Sequence, residues 1–412
     1  MSRHLFILLG CLFVVMTGYG VTLSVLPFHI ERMALAEVIA GGASSVHVGL
    51  ITGIFALMQF IFAPLWGKLS DRIGRRPVLM IGMLGFALAN FLFGLSSNLL
   101  MLYFSRFLGG SLSAAVLPVS AAFVADLTLE SQRGKGMALM GSASGLGVMI
   151  GPALGGMLAG VNLPRTFQFE FLIFDAFSVP FFTAGILALL SVSTTVIWLK
   201  EPQTPNANRK SIPLIKAFRE IMMQRSFRIL LYFSFLVQFA ISLFEGTFAL
   251  HGKEVMGFGP TEMGLVLMVC GLVMAVAQGG VVSWFIDSIR AKWLLFSGLI
   301  LMGISLILLM IPRTMTFVLF LTALFGLGMA FLIPILVTMV SRRSVSGAGA
   351  GLGMQNAVNS LGQAIGPVAG GLLFTLSIHL PYLLAGILLL GSTGLLKTSL
   401  WAKPGEPPGF SL

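Results

Sequence analysis

Charge is what this chain has least of. Asp, Glu, Lys and Arg make up 9% of its 412 residues, whereas a soluble domain carries about 25%. That shortage excludes an ordinary water-soluble enzyme. It also excludes a disordered chain, which needs high charge and few apolar groups. Cysteine is scarce too. Cys11 and Cys270 both lie inside apolar runs and can close at most one bridge, so a disulfide scaffold is excluded. There is no glycine-rich loop ending in Lys-Ser or Lys-Thr to cradle a phosphate. No His/Cys cluster offers metal ligands, and no Ser-His-Asp set stands out in a polar segment. The sequence predicts no enzyme, no catalytic residues, no cofactor and no metal.

What is abundant is apolar. The chain is 57% hydrophobic with 35 Phe and 23 Met, and its mean hydropathy is +0.99. A helix needs roughly 20 mostly apolar residues to cross about 30 Å of hydrocarbon. Hydropathy and helix breakers place twelve such spans, at 5–28, 47–67, 78–95, 100–125, 137–160, 178–199, 229–250, 262–285, 293–311, 316–340, 353–377 and 381–400. The first run is too long for a signal peptide and no small-residue cleavage site follows it, so it is expected to remain as a span.

The net charge of +11 suggests nucleic acid until the charges are placed. They fall in short loops between apolar runs. With twelve spans, 20 Lys and Arg lie on the side of the termini, four lie on the other side, and Arg106 lies within a span. That bias predicts a multi-pass protein of the cell membrane with both termini in the cytoplasm. The bilayer, not nucleic acid, is the expected partner of this surface.

The longest hydrophilic stretch, 200–228, contains Pro202, Pro205, Pro213 and seven basic residues. It reads as a cytoplasmic linker, with a surface helix from Ile212 to Met223. It separates an N-terminal six-helix bundle (1–199) from a C-terminal one (229–412). The two halves repeat each other. Gly151-Pro152 and Gly366-Pro367 are 215 residues apart, while Pro118 and Pro334, and Asp71 and Asp287, are each 216 apart. Three landmarks near one offset indicate a duplicated six-helix unit. The fold class is thus an all-α membrane protein of twelve transmembrane helices in two pseudo-symmetric bundles. Many secondary transporters follow that plan, with a site near the midplane.

Between spans two and three stands Gly67-Lys-Leu-Ser-Asp71-Arg72-Ile-Gly74-Arg75-Arg76-Pro77. This run resembles the loop signature of the major facilitator superfamily, nearly complete over eleven residues and correctly placed. Gly67 would permit close helix approach. Asp71 would accept charge-assisted hydrogen bonds. Arg72, Arg75 and Arg76 would pair with acids such as Asp126 at the end of span four. The resemblance implies a cytoplasmic latch between the halves in the outward-open state. The second copy, Ser283 to Lys292, keeps Asp287 but loses the glycines.

Gly147-Val-Met-Ile-Gly151-Pro152-Ala-Leu-Gly155-Gly156 in span five resembles the antiporter signature of the same superfamily. Its glycines recur every four residues, which puts them on one helix face and lets helices approach closely. Pro152 removes a backbone donor and can bend the helix. The resemblance implies a pliable, leak-tight hinge found in exporters; plain close packing is the other reading. Leu102 to Gly110 resembles the span-four signature with a buried arginine, here Arg106. A charge in hydrocarbon is costly, so Arg106 is a functional candidate. The run from Val48 to Gly160 looks like the tetracycline exporters and related drug–proton antiporters. Those exporters carry membrane aspartates where this chain has Val15 and Ala89, which argues against tetracycline–metal complexes as the main substrate.

Among the 14 acidic residues, Glu245 is the one placed well within a span. Desolvation favours the neutral form of a carboxyl group. A carboxyl that alternates between burial and water can therefore load a proton on one side and release it on the other. Glu245, Arg106 and Asp126 are the candidates for proton coupling, and Glu170 and Asp175 are weaker ones. The polar groups inside spans are mostly amides. With Phe and Met they suit an adaptable cavity for amphipathic molecules. Gln59, Gln238, Phe244, Phe248, Gln355, Asn356 and Asn359 are the substrate-binding candidates. The last three are read as one face of span eleven from their i, i+1, i+4 spacing. The leading reading is a monomeric, proton-coupled exporter of amphipathic small molecules. The alternatives are an exporter of one metabolite or lipid on the same fold, or a non-transporting membrane sensor.

Overall fold

The structure is a computed structural model. It describes residues 3–37, 41–129, 132–160, 167–169, 172–201, 224–279, 291–311, 314–343 and 348–399. The expected surface helix at Ile212 to Met223, Asp287 of the second loop copy and Glu170 lie outside these residues. In chain order the elements are α1 (Arg3–Leu23), α2 (Leu26–Ala36), α3 (Gly41–Ile73), α4 (Arg75–Gly94), α5 (Leu99–Ser113), α6 (Val116–Leu127), α7 (Arg133–Ala159), β1 (Phe167–Phe169), β2 (Leu172–Phe174), α8 (Ser178–Trp198), α9 (Arg225–Met256), α10 (Pro260–Ala277), α11 (Ala291–Leu308), α12 (Met315–Arg343), α13 (Ala348–Leu376) and α14 (Leu380–Ser399).

Among the described residues, nine helical stretches are long and apolar enough to cross a membrane, with Leu99–Leu127 counted as one. Two shorter apolar helices, Lys292–Leu308 and Leu380–Leu396, stand where spans nine and twelve are expected. The remaining expected span coincides with α13, whose amides and glycines dilute its apolar character. Their exposed faces are apolar, as Leu100, Phe104, Met157, Ile197, Phe320 and Leu376 illustrate. Water would not tolerate so much exposed apolar surface, but lipid tails do.

Spans one and four are each broken once, and proline explains both breaks. Pro27 has no amide to offer the carbonyl of Leu23, so α1 stops there. The chain turns through Val25, whose N–H bonds to the carbonyl of Thr22 at 3.3 Å. It then resumes as α2 with Pro27 in the first turn, where a missing donor costs nothing. Pro118 likewise leaves the carbonyl of Ala114 without its helical partner, and α5 gives way to α6 at Ala114 and Ala115. The stretch 161–177, expected as a loop lying on the bilayer surface, contains a small antiparallel hairpin that pairs Phe167 with Phe174, Gln168 with Ile173 and Phe169 with Leu172. Hydrogen bonding between β1 and β2 satisfies backbone groups there that a bare loop would leave to water.

The chain forms two compact units, Met1–Arg209 with Glu245–Met268, and Lys210–Phe244 with Val269–Leu412. In the first unit α1 packs on α7 and α8, α4 on α8 and α5, and α3 on α5. Its core is built from Leu8, Leu12, Met83, Phe86, Val119 and Phe123. In the second unit α11 packs on α12 and α14, around fully buried Leu299, Met302, Leu321 and Tyr382.

Candidate functional site

The loop between α3 and α4 gathers a charged cluster. Arg75 opens α4, and its side chain is only 10% exposed. Its Nη1 donates to Asp71 Oδ1 at 2.6 Å and to Ser70 Oγ at 2.7 Å, and its Nε donates to Asp126 Oδ2 at 3.1 Å. Asp71, in the last turn of α3, meets Arg75 across the break at Gly74, and Asp126 arrives at the end of α6. One guanidinium thus sits between two carboxylates, the arrangement that makes burying a charge tolerable. Of the expected motif residues, Arg72 is exposed to solvent, and Arg76 turns away to the backbone of α8. The close approach expected at Gly67 is absent among the described residues, since a Cβ there would meet nothing within 4 Å. Gly74 of the same motif has a φ of +103°, a conformation that side chains rarely adopt.

The run at 147–156 forms a packing seam. A Cβ on Gly147 would lie 2.6 Å from the carbonyl oxygen of Phe13. One on Gly151 would lie 2.5 Å from that of Thr17, and one on Gly155 would overlap that of Val21. All three belong to α1, so this glycine face lets two helix backbones touch. Gly156 points elsewhere, toward α10, where Thr261 Oγ1 donates to its carbonyl at 3.1 Å. The second unit repeats the seam: Gly362 and Gly366 of α13 press on the carbonyls of Phe235 and Phe239 of α9, at 2.9 and 2.7 Å from an added Cβ. The duplication read from the Gly-Pro pairs is thus also a duplication of packing.

The three candidates for proton coupling fall in two places. Asp126 belongs to the loop cluster, twenty residues beyond Arg106 along span four, or about 30 Å at 1.5 Å per residue. Arg106 is 7% exposed and lies over two rings, Phe93 at 4.2 Å and Phe55 at 5.5 Å. Its Nε and Nη2 are buried without a hydrogen-bond partner among the described residues. Glu245 is half-buried on α9 and makes no hydrogen bond or ion pair with a described residue. Tyr19 lies within electrostatic reach of both. The sequence reading missed Tyr19, which carries no motif; its position on α1 opposite Phe55 brings it in.

The substrate-binding candidates are dispersed. Gln59 and Phe248 belong to the first unit, and Gln238, Phe244, Gln355, Asn356 and Asn359 to the second. Phe244 is fully buried against Phe325, with ring centroids 4.7 Å apart, and Phe248 is fully buried and stacks on His251. Gln238 donates to Ser242 Oγ at 3.2 Å. The expectation of one face for Gln355, Asn356 and Asn359 needs correction. Gln355 is buried and donates to Ser234 Oγ at 3.0 Å, Asn356 is exposed and Asn359 is half-buried. Successive helical residues point 100° apart, which separates the first two.

At the other end of the helices, the weaker candidate Asp175 is occupied. Its Oδ1 accepts from the amides of Phe177 and Ser178 at the start of α8, at 2.9 and 3.2 Å, and its Oδ2 pairs with Arg32. Lys253 pairs with Glu31 at 2.7 Å. Both described cations from the sparsely charged side are therefore neutralised locally.

The family model described as Major Facilitator Superfamily matches residues 8–287 and 279–411. Multidrug resistance protein 2 of Bacillus subtilis is 30% identical over 406 residues, covering 96% of this chain and 94% of that protein. The quinolone resistance protein NorA of Staphylococcus aureus is 23% identical, covering 95% of each. Among solved structures, a POT family transporter in complex with 5-aminolevulinic acid superposes with a TM-score of 0.77 at 14% identity, covering 97% of this chain and 96% of that one. The fold is that of this transporter: a twelve-helix protein of two six-helix bundles, threaded through a membrane. With its loop motif, its repeated glycine seam and matches that run almost end to end, the chain belongs to the major facilitator superfamily.

Proposed function

We propose that this chain exports amphipathic small molecules across the cell membrane in exchange for protons, by alternating access. The observation that carries the reading is Glu245, a half-buried carboxylate without a cationic partner among the described residues, which shares the neighbourhood of Tyr19 with buried Arg106. Burial favours the neutral acid and contact with water favours the carboxylate, so a cycle that alternately opens this neighbourhood loads and discharges a proton. The names of the multidrug and quinolone resistance relatives support the substrate class.

In this reading both termini and the stretch 200–228 face the cytoplasm, the halves 1–199 and 229–412 move against each other, and the chain works as a monomer. The Asp71–Arg75–Asp126 cluster belongs to the latch that closes the cytoplasmic side, and the α1–α7 seam keeps the first half tightly packed as it moves. One proton moving down 100 mV releases about 2.3 kcal/mol, which at 1.36 kcal/mol per tenfold sustains a roughly 50-fold gradient of a neutral drug.

Export assays in cells stripped of their own pumps test the substrate class. The probes are a cationic dye, a neutral lipophile, a zwitterionic quinolone and, as control, a sugar. Reduced accumulation of several unrelated amphiphiles, with the sugar unaffected, is the expected result. Export of one compound alone would favour the dedicated metabolite or lipid exporter, and export of none would overturn the reading.

A further inference from the structure

Helix α4 starts at Arg75 behind Gly74, which provides no side-chain cap. The first amides of a helix lack internal partners and need acceptors from elsewhere. Here one residue supplies two. Glu201, 125 and 126 positions along the chain, accepts from the amide of Arg76 through Oε2 at 2.9 Å and from that of Arg75 through Oε1 at 2.5 Å. Its negative charge lies on the positive end of the helix dipole. The exchange is reciprocal. Helix α8 ends at Trp198, three residues before Glu201, and its last turn leaves the carbonyl of Val196 without a backbone partner among the described residues, while that of Thr195 accepts from the amide of Leu199. Arg76 Nη2 donates to the carbonyl of Val196 at 2.6 Å and its Nε to that of Thr195 at 3.3 Å. Each helix end is thus closed by a charge from the other. Gly74 is part of the same device: a Cβ there would lie 2.9 Å from Glu201 Oε1 and 3.0 Å from Cδ. The motif glycine leaves room for the carboxylate as well as permitting the φ of +103°.

We propose that Glu201 is a positioning residue of the loop cluster: with Arg76 it clamps the start of α4 to the end of α8, and so holds Arg75 where it bridges Asp71 and Asp126. Glu201 acts through the backbone amides of Arg75 and Arg76 and needs no contact with substrate. The functional part of the inference rests on the transport reading, but the clamp itself does not.

Hydrogen exchange on the full-length protein in lipid nanodiscs tests the clamp without any substrate. Glu201→Ala is expected to speed exchange in the segment 74–79 by about tenfold or more, the scale of a charge-assisted hydrogen bond lost at each amide. Glu201→Gln keeps acceptor oxygen without the charge, so it should fall between the wild type and Glu201→Ala. Dye export should follow the same order through its maximal rate, with KM held within about twofold. Arg76→Lys replaces the two-nitrogen fork by a single ammonium and should slow export alone, while its combination with Glu201→Gln should be less than additive, as for two parts of one contact. If Glu201→Ala fails to accumulate, Glu201→Gln and Arg76→Lys carry the test. Unchanged exchange at 74–79 would overturn the clamp. Faster exchange with an unaltered maximal rate would overturn its positioning role. Export absent even from the wild type, with the exchange pattern as expected, would count against the transport reading and leave the clamp standing.

Discussion

Glu245→Gln is expected to abolish uphill export while leaving the protein folded in the membrane. Glutamine matches the shape of a protonated glutamic acid but cannot release a proton. Glu245 makes no hydrogen bond or ion pair with a described residue, so the substitution breaks no bond that holds α9 in place. The variant should still bind substrate and let it run down its own gradient. What it loses is the driving force: the roughly 50-fold concentration ratio available at 100 mV should fall to about one. The comparison is gradient-driven dye accumulation against downhill exchange in the same vesicles, with thermal unfolding as a check on folding. Full uphill transport by Glu245→Gln would sink the assignment and move the proton site, first to Asp71 or Asp126.

The second large effect lies in the glycine seam. Gly151→Ala and Gly155→Ala each add a single carbon, but that carbon meets backbone. At Gly151 it would stand 2.5 Å from the carbonyl oxygen of Thr17 and 2.6 Å from Cα of Gly20. Neither atom can swing aside as a side-chain tip can, so α1 and α7 must separate. Overpacking of this kind costs about 1–3 kcal/mol. Both variants should lower the thermal midpoint and cut export by about tenfold or more. Gly145→Ala, on the same helix with nothing within 4 Å of the added carbon, is the control and should export like wild type. A Gly151→Ala protein with the midpoint and export of the wild type would show that the glycines are not needed for contact.

The features legible in the sequence were those written in a local run or a fixed repeat. Twenty-residue apolar stretches announce spans because the bilayer sets their length, and the loop motif is contiguous from Gly67 to Pro77. The glycine period at 147, 151 and 155 pointed to a contact face, and the structure supplies its partner, α1. Less legible were features that depend on partners far away in the chain. Glu201 sits at the edge of the hydrophilic stretch and looks like a solvated acid until α4 is brought beside it. Tyr19 carries no motif at all. The breaks in spans one and four were signalled by Pro27 and Pro118, yet hydropathy runs through both and made each span look continuous. For Gln355 and Asn356, spacing suggested a shared face, whereas a 100° step per residue sends one to the interior and the other to the surface.

The central claim is exchange of substrate for protons, and proton movement itself tests it most directly. Purified protein would be reconstituted into vesicles containing a pH-sensitive dye, and an amphipathic substrate gradient imposed with no pH difference and no ATP. The account predicts that substrate flow in one direction drives protons in the other, that a protonophore erases the pH change, and that Glu245→Gln shows substrate flux without it. Substrate flux through the wild-type protein with no proton movement, or export that persists after the gradient is collapsed, would contradict it.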